Sequence, residues 1–317
     1  MTRLAAPLET AGRIGRGRRV RDIEPESRTN ISAADRRRPA VRVTLAVGQV
    51  VVLALLAIGG LGPIVWLALA SVAPTQDLIQ GPFSFFSSGV VQWENLSIAW
   101  ERGRIGHYLV NTATIAIGTV VATLIVCVSA AFVITVLRPR WGGLLSGAIL
   151  ATLFIPGIVS LVPLYLTVRD MPVLDISLIN SYWAVWLPGA ANAFNVLIIA
   201  RFFESIPREL FEAARVDGAG ALRVLTSIVL PLSRPILGVV GLLTLVASWK
   251  DFLWPLLVLP DPERQPVSVA LPRLAEQTEL SVQMAALFLS LLVPVVLFLV
   301  FQRQFLRGAT LSGGVKG

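Results

Sequence analysis

Cysteine, histidine and lysine are scarce in this chain of 317 residues, and each scarcity excludes a class of chemistry. The only cysteine, Cys127, and the only histidine, His107, rule out an internal disulfide, a Cys/His zinc cluster and a histidine-based catalytic triad. Neither lysine, Lys250 or Lys316, lies in a G-x-x-x-x-G-K-[ST] phosphate-binding loop, so any ATP must be bound by another chain. We therefore predict no catalytic residue, no metal site and no cofactor of its own.

Charged residues are also few, at 15% of the chain against 55% hydrophobic residues. A mean hydropathy of +0.75 is too apolar for a soluble globule and predicts a membrane protein. The net charge of +8 could indicate nucleic-acid binding, but 11 of the 27 Lys and Arg residues lie in residues 1–42 and most others flank apolar runs. This distribution favours contact with anionic lipid head groups, and we expect no nucleic-acid partner.

The chain after the N-terminus consists mainly of apolar runs long enough to cross a bilayer. Residues 1–42 are Arg-rich without apolar periodicity and are predicted to form a mostly disordered cytoplasmic arm. The first run is too long for the apolar core of a cleaved signal peptide. Six transmembrane helices are predicted, within a permease domain of residues 43–303, at about 43–72, 108–137, 143–168, 182–203, 235–259 and 282–301.

The basic residues indicate the orientation of these spans. Placing both termini in the cytoplasm assigns 21 Lys and Arg residues to cytoplasmic segments and 5 to external ones. Because short cytoplasmic loops carry the excess of Lys and Arg, the arm, residues 204–234 and the tail at 304–317 are predicted to lie in the cytoplasm. We therefore expect a multi-pass protein of a bacterial cell membrane.

The loop at residues 204–234 has the pattern of two short amphipathic helices joined by a turn. Asp217-Gly218-Ala219-Gly220 contains two glycines that permit a tight turn, and Pro207 and Pro231 lie near the two outer ends. Apolar residues recur at three- and four-residue steps and are predicted to form the buried faces: Phe211, Ala214, Leu222, Leu225 and Val229.

Together, Glu212-Ala213-Ala214, Asp217-Gly218-Ala219 and Ile228-x-Leu230-Pro231 resemble the "EAA" loop in membrane subunits of binding-protein-dependent ABC importers. A hairpin on the membrane surface without a partner is the alternative for this stretch alone. Residues 60–317 further resemble the MalG-like half of the carbohydrate uptake transporter-1 type. The stretches that carry this resemblance are Leu109–Thr112, Val162–Tyr165, Trp249–Leu256, Phe301–Gly308 and Gly314–Gly317.

The resemblance implies an all-α type I ABC importer (MetI-like) permease fold with cytoplasmic coupling helices. It also implies one half of a heterodimeric channel, with a second, MalF-like permease subunit, a homodimeric MalK-like ATPase and an extracellular sugar-binding protein as partners. The expected solute is a di- or oligosaccharide. Glycerol phosphate or another polar solute is the alternative, and a non-transporting membrane scaffold is a remote one. Residues 308–317 are expected to form a strand-like extension that reaches the ATPase.

Five residues of the loop acquire roles through the same resemblance. Glu212 is expected to form a salt bridge to the ATPase, and the small Ala213 and Ala214 would let the helix lie close in a groove of that partner. Gly218 would make the turn. Asp217 is one of the residues expected to couple to the ATPase, with capping of the second helix as the alternative to contact with the partner.

One departure from the family pattern points to a substrate pathway. Where the family has W-N-[DE]-F-x-W-P, this chain has lysine in place of the amide, at Lys250, beside Asp251 and one helical turn before Trp254. A charge within a span costs about 2.5–3.5 kcal/mol on insertion scales, so these residues are predicted to border a polar cavity. A cation there would favour solutes rich in hydroxyls or carrying an anion, and a cation–π contact with Trp254 is expected.

Other interpretations of these polar residues stay open at this stage. Lys250 could instead extend to the interface or bond a partner subunit, and Asn192 and Asn195, weaker pathway candidates, could hydrogen-bond between helices. An intramembrane enzyme would need paired carboxylates, a Ser/Lys dyad or histidine ligands within the spans. The adjacent Lys250 and Asp251 are the only ionisable cluster there, which makes that class improbable.

Overall fold

A computed structural model describes residues 39–84, 89–172 and 175–313, with side chains as far as residue 302. Residues 1–38 of the predicted arm, and residues 314–317, lie outside this description. The described residues divide into two compact units between Leu61 and Gly62, a position inside the first helix. That helix begins at Pro39 and includes the last four residues of the predicted arm.

The described residues form α-helices and no β-sheet; a single isolated bridge joins Met171 and Ile176. The helices in chain order are α1 (Pro39–Ala70), α2 (Thr75–Gln80), α3 (Glu94–Glu101), α4 (Ile105–Phe132), α5 (Gly142–Thr152), α6 (Gly157–Arg169), α7 (Trp183–Ala190), α8 (Ala193–Glu204), α9 (Arg208–Val216), α10 (Ala221–Val224), α11 (Leu230–Leu232), α12 (Arg234–Lys250), α13 (Leu253–Val258), α14 (Val267–Gln277) and α15 (Leu280–Gly313). Single π-helical turns extend α4 to Leu137 and join α10 to α11, and a 3₁₀ turn covers Pro262–Arg264.

Three helical stretches are long and apolar enough to cross a membrane unbroken: α1, residues 105–137 and residues 280–302. Three further candidates are bent pairs: α5 with α6 at 108°, α7 with α8 at 47°, and residues 221–232 with α12 at 79°. The predicted six spans therefore correspond to three unbroken helices, or up to six spans if each bent pair is one crossing.

Two expectations about element boundaries are wrong. The predicted fifth span, 235–259, is not one helix, because α12 ends at Lys250 and α13 begins only at Leu253. Residues 308–313 continue α15 as helix, so the strand-like extension expected from Gly308 is absent over that part.

Helix α4 is central to the unit formed by residues 62–317, where α7, α8, α12 and α14 all pack against it. Gly118 permits the Trp186 indole of α7 to lie against α4, because a Cβ at this position would lie only 2.1–2.6 Å from that ring. The indole Nε1 donates to the Ile115 carbonyl at 3.2 Å. Further along, Cys127 and Ile199 are fully buried in one apolar cluster with Phe203.

The N-terminal end of α4 is joined to the segment that follows α13. The Asn111 amide donates to the carbonyls of Glu263 (2.8 Å) and Gln265 (3.0 Å), and the Tyr182 hydroxyl donates to the Asn111 side-chain oxygen. The neighbouring Thr112 hydroxyl accepts from the backbone N–H of Val267 at 2.8 Å. Asn111-Thr112, noted in the sequence as a family-like motif, therefore positions an irregular segment between α13 and α14 by satisfying its backbone groups.

An exposed ion pair lies beside this joint. Arg104 donates from both guanidinium Nη atoms to the two carboxylate oxygens of Glu263, and His107 Nε2 lies 2.8 Å from the Glu263 carbonyl oxygen. The hydrogen bond from Arg104 holds the pKa of the Glu263 carboxyl below its ordinary value, with a smaller Coulombic contribution from the same guanidinium.

Candidate functional site

A cavity of about 630 Å³ contains all five residues predicted to border a pathway. The structure thus brings together side chains that lie up to 62 positions apart in sequence, from two different bent or broken helical segments. The residues that line it are Thr119, Val185, Gly189, Asn192, Phe194, Asn195, Leu243, Thr244, Ala247, Ser248, Lys250, Asp251 and Trp254.

The first wall of the cavity is made where the chain breaks between α7 and α8. A helix break frees backbone carbonyls, which within a membrane must find donors elsewhere. Helix α4 supplies them: the Thr123 hydroxyl donates to the Gly189 carbonyl at 3.1 Å, and the Cys127 thiol lies 3.4 Å from the Ala190 carbonyl. Cys127, predicted only as a small packing residue, is fully buried and also contributes this weak bond.

The two asparagines at this break have structural contacts of their own. The Asn192 side-chain oxygen accepts from the backbone N–H of Asn195 at 3.0 Å and so caps the N-terminus of α8. The Asn195 amide donates to the Thr244 hydroxyl at 3.3 Å, which joins α8 to α12. The alternative of interhelical bonding therefore describes Asn195, whereas the Asn192 amide nitrogen remains at the cavity wall.

The second wall is made where the chain breaks between α12 and α13. Asp251 has an extended backbone (φ −67°, ψ 123°), which ends α12 at Lys250 and lets two sequence neighbours line the same cavity. The expected cation–π contact between Lys250 and Trp254 is absent, because the helical spacing it requires is interrupted at Asp251. Among described residues the contact of this type is Arg273 over Tyr108, at 5.8 Å.

Trp254 is held in the wall by a hydrogen bond to α7. Its indole Nε1 donates to the Ala184 carbonyl at 2.9 Å, so its only side-chain donor is satisfied and the ring presents an apolar surface. Gly189 is required opposite α4, because a Cβ there would lie 2.9 Å from the Thr119 methyl group. The cavity thus has an aromatic wall and a polar wall.

Three polar residues of the cavity, Thr119, Thr244 and Ser248, were missed from the sequence. The Thr119 hydroxyl donates to the Ile115 carbonyl of its own helix at 2.8 Å. The Ser248 hydroxyl is buried without a hydrogen-bond partner in the described part of the chain. Thr244 accepts from Asn195 and keeps its own hydroxyl hydrogen available. Their one-turn spacing on α12 ahead of Lys250 could have drawn attention to them, but serines and threonines are common in helices that pack closely.

The loop between α8 and α12 forms the predicted helix–turn–helix. Helix α9 ends at Val216 with Asp217 as its C-cap, and Gly218 has a positive φ of 70°. The backbone N–H of Gly218 donates to Arg215 and that of Ala219 to Ala214, at 3.0 and 2.9 Å, which is the Schellman pairing at a helix C-terminus. Asp217 therefore caps the first helix, and the alternative that it is the N-cap of the second is wrong, because Gly220 occupies that position.

The exposed face of this loop is partly apolar. Glu212 and Ala213 are exposed, whereas Ala214 packs into the chain's own core at 8% exposure, so its small size serves internal packing. Val216 and Leu222 are 89% and 73% exposed. The expectation that Leu222 belongs to the buried face is therefore wrong; Val224 is the buried residue of α10.

Glu212 also lies at a charged cleft of about 230 Å³ beside the C-terminal end of α4. Arg138 from the loop after α4 and Arg208 and Arg215 from α9 line the same cleft. No group of three or more His, Cys, Asp or Glu side chains that could hold a metal ion occurs among the residues the structure describes.

Comparisons with known proteins agree with this architecture. The family profile described as "Binding-protein-dependent transport system inner membrane component" matches residues 128–310. The chain is 32% identical over 261 residues to the probable ABC transporter permease protein YurM of Bacillus subtilis. This alignment covers 80% of this chain and 83% of that protein. The chain is also 32% identical to the sn-glycerol-3-phosphate transport system permease protein UgpE of Yersinia pestis, over 76% and 89% of the two chains.

A solved bacterial ABC transporter involved in the import of the acidic polysaccharide alginate has the same fold. The TM-score is 0.72 at 22% identity, and the match covers 86% of this chain and 98% of that one. The expected MetI-like, all-α permease fold is thereby confirmed. Because the family profile covers more than half of the residues and the relatives align along most of their length, the chain belongs to the family of binding-protein-dependent transport system inner membrane components.

Proposed function

We propose that this chain is a permease subunit of an ATP-driven importer and forms one half of a heterodimeric channel. The other half is a second, MalF-like permease subunit, and ATP is bound and hydrolysed by a separate homodimeric, MalK-like ATPase. An extracellular binding protein delivers the solute, which is a di- or oligosaccharide or a related polar solute such as a glycerol phosphate. The chain performs no bond chemistry.

One observation carries this proposal: both helices that flank the exposed loop have their far ends at the polar cavity. Helix α8 begins beside Asn192 at the cavity and ends four residues before α9. Helix α12 begins after α11 and ends at Lys250 in the cavity wall. At 1.5 Å per residue, these helices are roughly 18 and 25 Å long.

This connection supports a mechanical link between an ATPase and the cavity. Helices α8 and α12 pack together and are joined by the Asn195–Thr244 hydrogen bond, so they can move as one body. A partner that shifts the loop would then displace both walls of the cavity at once. The two breaks, at residues 191–192 and 251–252, are positions where the backbone can absorb such a shift.

The exposed loop has the composition expected of a docking surface. The apolar side chains of Val216 and Leu222 are exposed beside the charged cleft at Glu212. We expect Glu212 to pair with a basic residue of the ATPase and Ala213 to permit close approach. The excess of Lys and Arg in residues 1–42, 204–234 and 302–317 supports a cytoplasmic location for the loop and both termini.

The test is isolation of the full chain from its native membrane in mild detergent, followed by identification of the co-purified proteins and assay of ATPase stimulation. A second permease, an ATPase and a binding protein are expected. Gly218→Asp adds a negative charge at the turn and is expected to abolish ATPase-coupled uptake or assembly. Recovery of the chain without a nucleotide-binding partner would contradict the proposal and favour a membrane scaffold.

A further inference from the structure

The cavity contains a cation that no acidic side chain neutralises directly. Lys250 is exposed in the cavity wall, and it has no carboxylate within 4 Å among the residues for which the structure gives side chains. Burying an unpaired ammonium group in a membrane span is costly unless water or a ligand compensates it. Lys250 therefore gives the cavity a local positive charge with which a solute can interact.

Asp251 does not cancel this charge by direct contact. Its carboxylate faces the backbone N–H groups of Phe252 and Trp254 at the start of α13, and its backbone carbonyl accepts from the Ser268 hydroxyl at 2.7 Å. These contacts direct the carboxylate toward its own chain. The ammonium of Lys250 is the charged group left to interact across the cavity.

Several of the remaining polar groups at the wall can donate hydrogen bonds. The Asn192 oxygen is used in capping α8, which leaves its amide nitrogen with two N–H groups. The Ser248 hydroxyl has no partner in the described structure, and the Thr244 oxygen already accepts a bond, so both can donate. One cation together with several N–H and O–H donors binds the oxygens of an anionic group more strongly than the hydroxyl oxygens of an uncharged sugar, because hydrogen bonds to a charged acceptor are stronger.

We propose that this cavity passes a solute that carries a negatively charged oxyanion group, with the Lys250 ammonium as its counter-charge and Asn192 and Ser248 as hydrogen-bond donors. The inference rests on the proposed transport function and specifies its substrate class. A phosphate ester and a sugar carboxylate share the required chemistry. The test distinguishes them.

The first experiment measures the electrostatic potential of the cavity without requiring transport. In the complete complex reconstituted in lipid nanodiscs, Cys127→Ser preserves a hydrogen-bond donor and removes the native thiol, and Ala247→Cys introduces a thiol at the cavity wall. Rates of modification by an anionic sulfonatoethyl and a cationic trimethylammonioethyl methanethiosulfonate are then compared. The fraction of modified chain is measured by intact-mass spectrometry.

Lys250→Met is expected to lower the anionic-to-cationic rate ratio by roughly fivefold to tenfold, as Coulomb's law gives for a unit charge some 7 Å away in a watery cavity. Lys250→Arg keeps the charge and should keep the ratio. Asp251→Asn removes an acidic charge and should raise it. An unchanged ratio in Lys250→Met, in a complex assembled with normal yield, would overturn the proposal.

The second experiment compares uptake of radiolabelled sn-glycerol 3-phosphate, galacturonate oligomers and maltose by the complex with its own binding protein. We expect the complex to take up one of the two charged solutes, and this uptake should be lost in Lys250→Met and retained in Lys250→Arg. Which charged solute is taken up shows whether the transported group is a phosphate or a carboxylate. ATP-driven uptake of maltose at the same rate in all variants would overturn the anionic class and leave the proposed transport function intact. Absence of an ATPase partner would instead contradict the transport function.

Discussion

Replacing Gly218 by alanine should open the turn of the exposed loop through a backbone effect alone. A Cβ at Gly218 meets no atom within 4 Å, so the substitution causes no steric clash with neighbours. The φ of +70°, however, is a left-handed conformation that costs an L-residue roughly 1–2 kcal/mol. This energy corresponds to a change of roughly 5–30-fold in the population of the turn.

Gly220 offers a matched control two residues away. It is equally open, with no atom within 4 Å of an added Cβ, but its backbone is extended (φ −71°, ψ 165°), which any residue adopts. Gly220→Ala should therefore change the stability of the turn by less than about 1 kcal/mol, because restriction of the unfolded chain is opposed by the poorer fit of alanine at the N-cap of α10. Gly218→Asn should lie between the two, since asparagine tolerates the left-handed region.

Hydrogen exchange of the peptide that contains Ala219 measures this effect directly. The backbone N–H of Ala219 is bonded to the Ala214 carbonyl only when the turn is closed. We expect exchange to accelerate roughly 5–30-fold in Gly218→Ala and ATPase-coupled uptake to fall with it. Equal exchange in Gly218→Ala and Gly220→Ala would refute the backbone explanation.

Two further predictions concern stability. Thr123→Val removes the donor to the Gly189 carbonyl at the helix break and should lower the free energy of unfolding by about 1–3 kcal/mol. The control is Thr114→Val, whose hydroxyl bonds an exposed carbonyl of its own helix and whose loss should change the unfolding temperature little. Equal effects of the two substitutions would contradict the role of Thr123. Because the pKa of Glu263 is lowered in the folded state, its stabilising contribution is present above the ordinary glutamate pKa of about 4.3 and is lost as the pH falls through the lowered value. Glu263→Gln should remove that acid-dependent decline in unfolding temperature, and an identical pH profile in the variant would exclude the Arg104–Glu263 pair as its cause.

Much of the loop could be predicted because its signals are local. A positive φ favours glycine whatever the surroundings, and the Asp217-Gly218 step ends α9 at the expected place. The face of a four-residue helix is harder to predict, since Leu222 and Val224 are both apolar and only packing decides which is buried. For that reason Leu222 was predicted to be buried, although it is exposed.

Five of the residues that line the cavity were predicted to border one, whereas its other lining residues and its geometry were not predicted. A lysine and an aspartate in an apolar run indicate a polar environment because lipid cannot solvate them. The break at Asp251 places both residues in the lining of one cavity and removes the expected contact with Trp254, but residue 251 is neither a proline nor a glycine that would have predicted it. Nor does any local pattern pair Asn195 with Thr244.

What the sequence by itself determined is helical, membrane-spanning structure, the turn at Gly218 and the family, because apolar run length, glycine and short motifs are properties of neighbouring residues. Only the tertiary structure decided which helices are bent and where their freed carbonyls find donors. Thr123 lies 66 residues from Gly189, and such a bond depends on how α4 packs against α7. Long-range packing of this kind is set by the shape of whole helices, which no local stretch of sequence encodes.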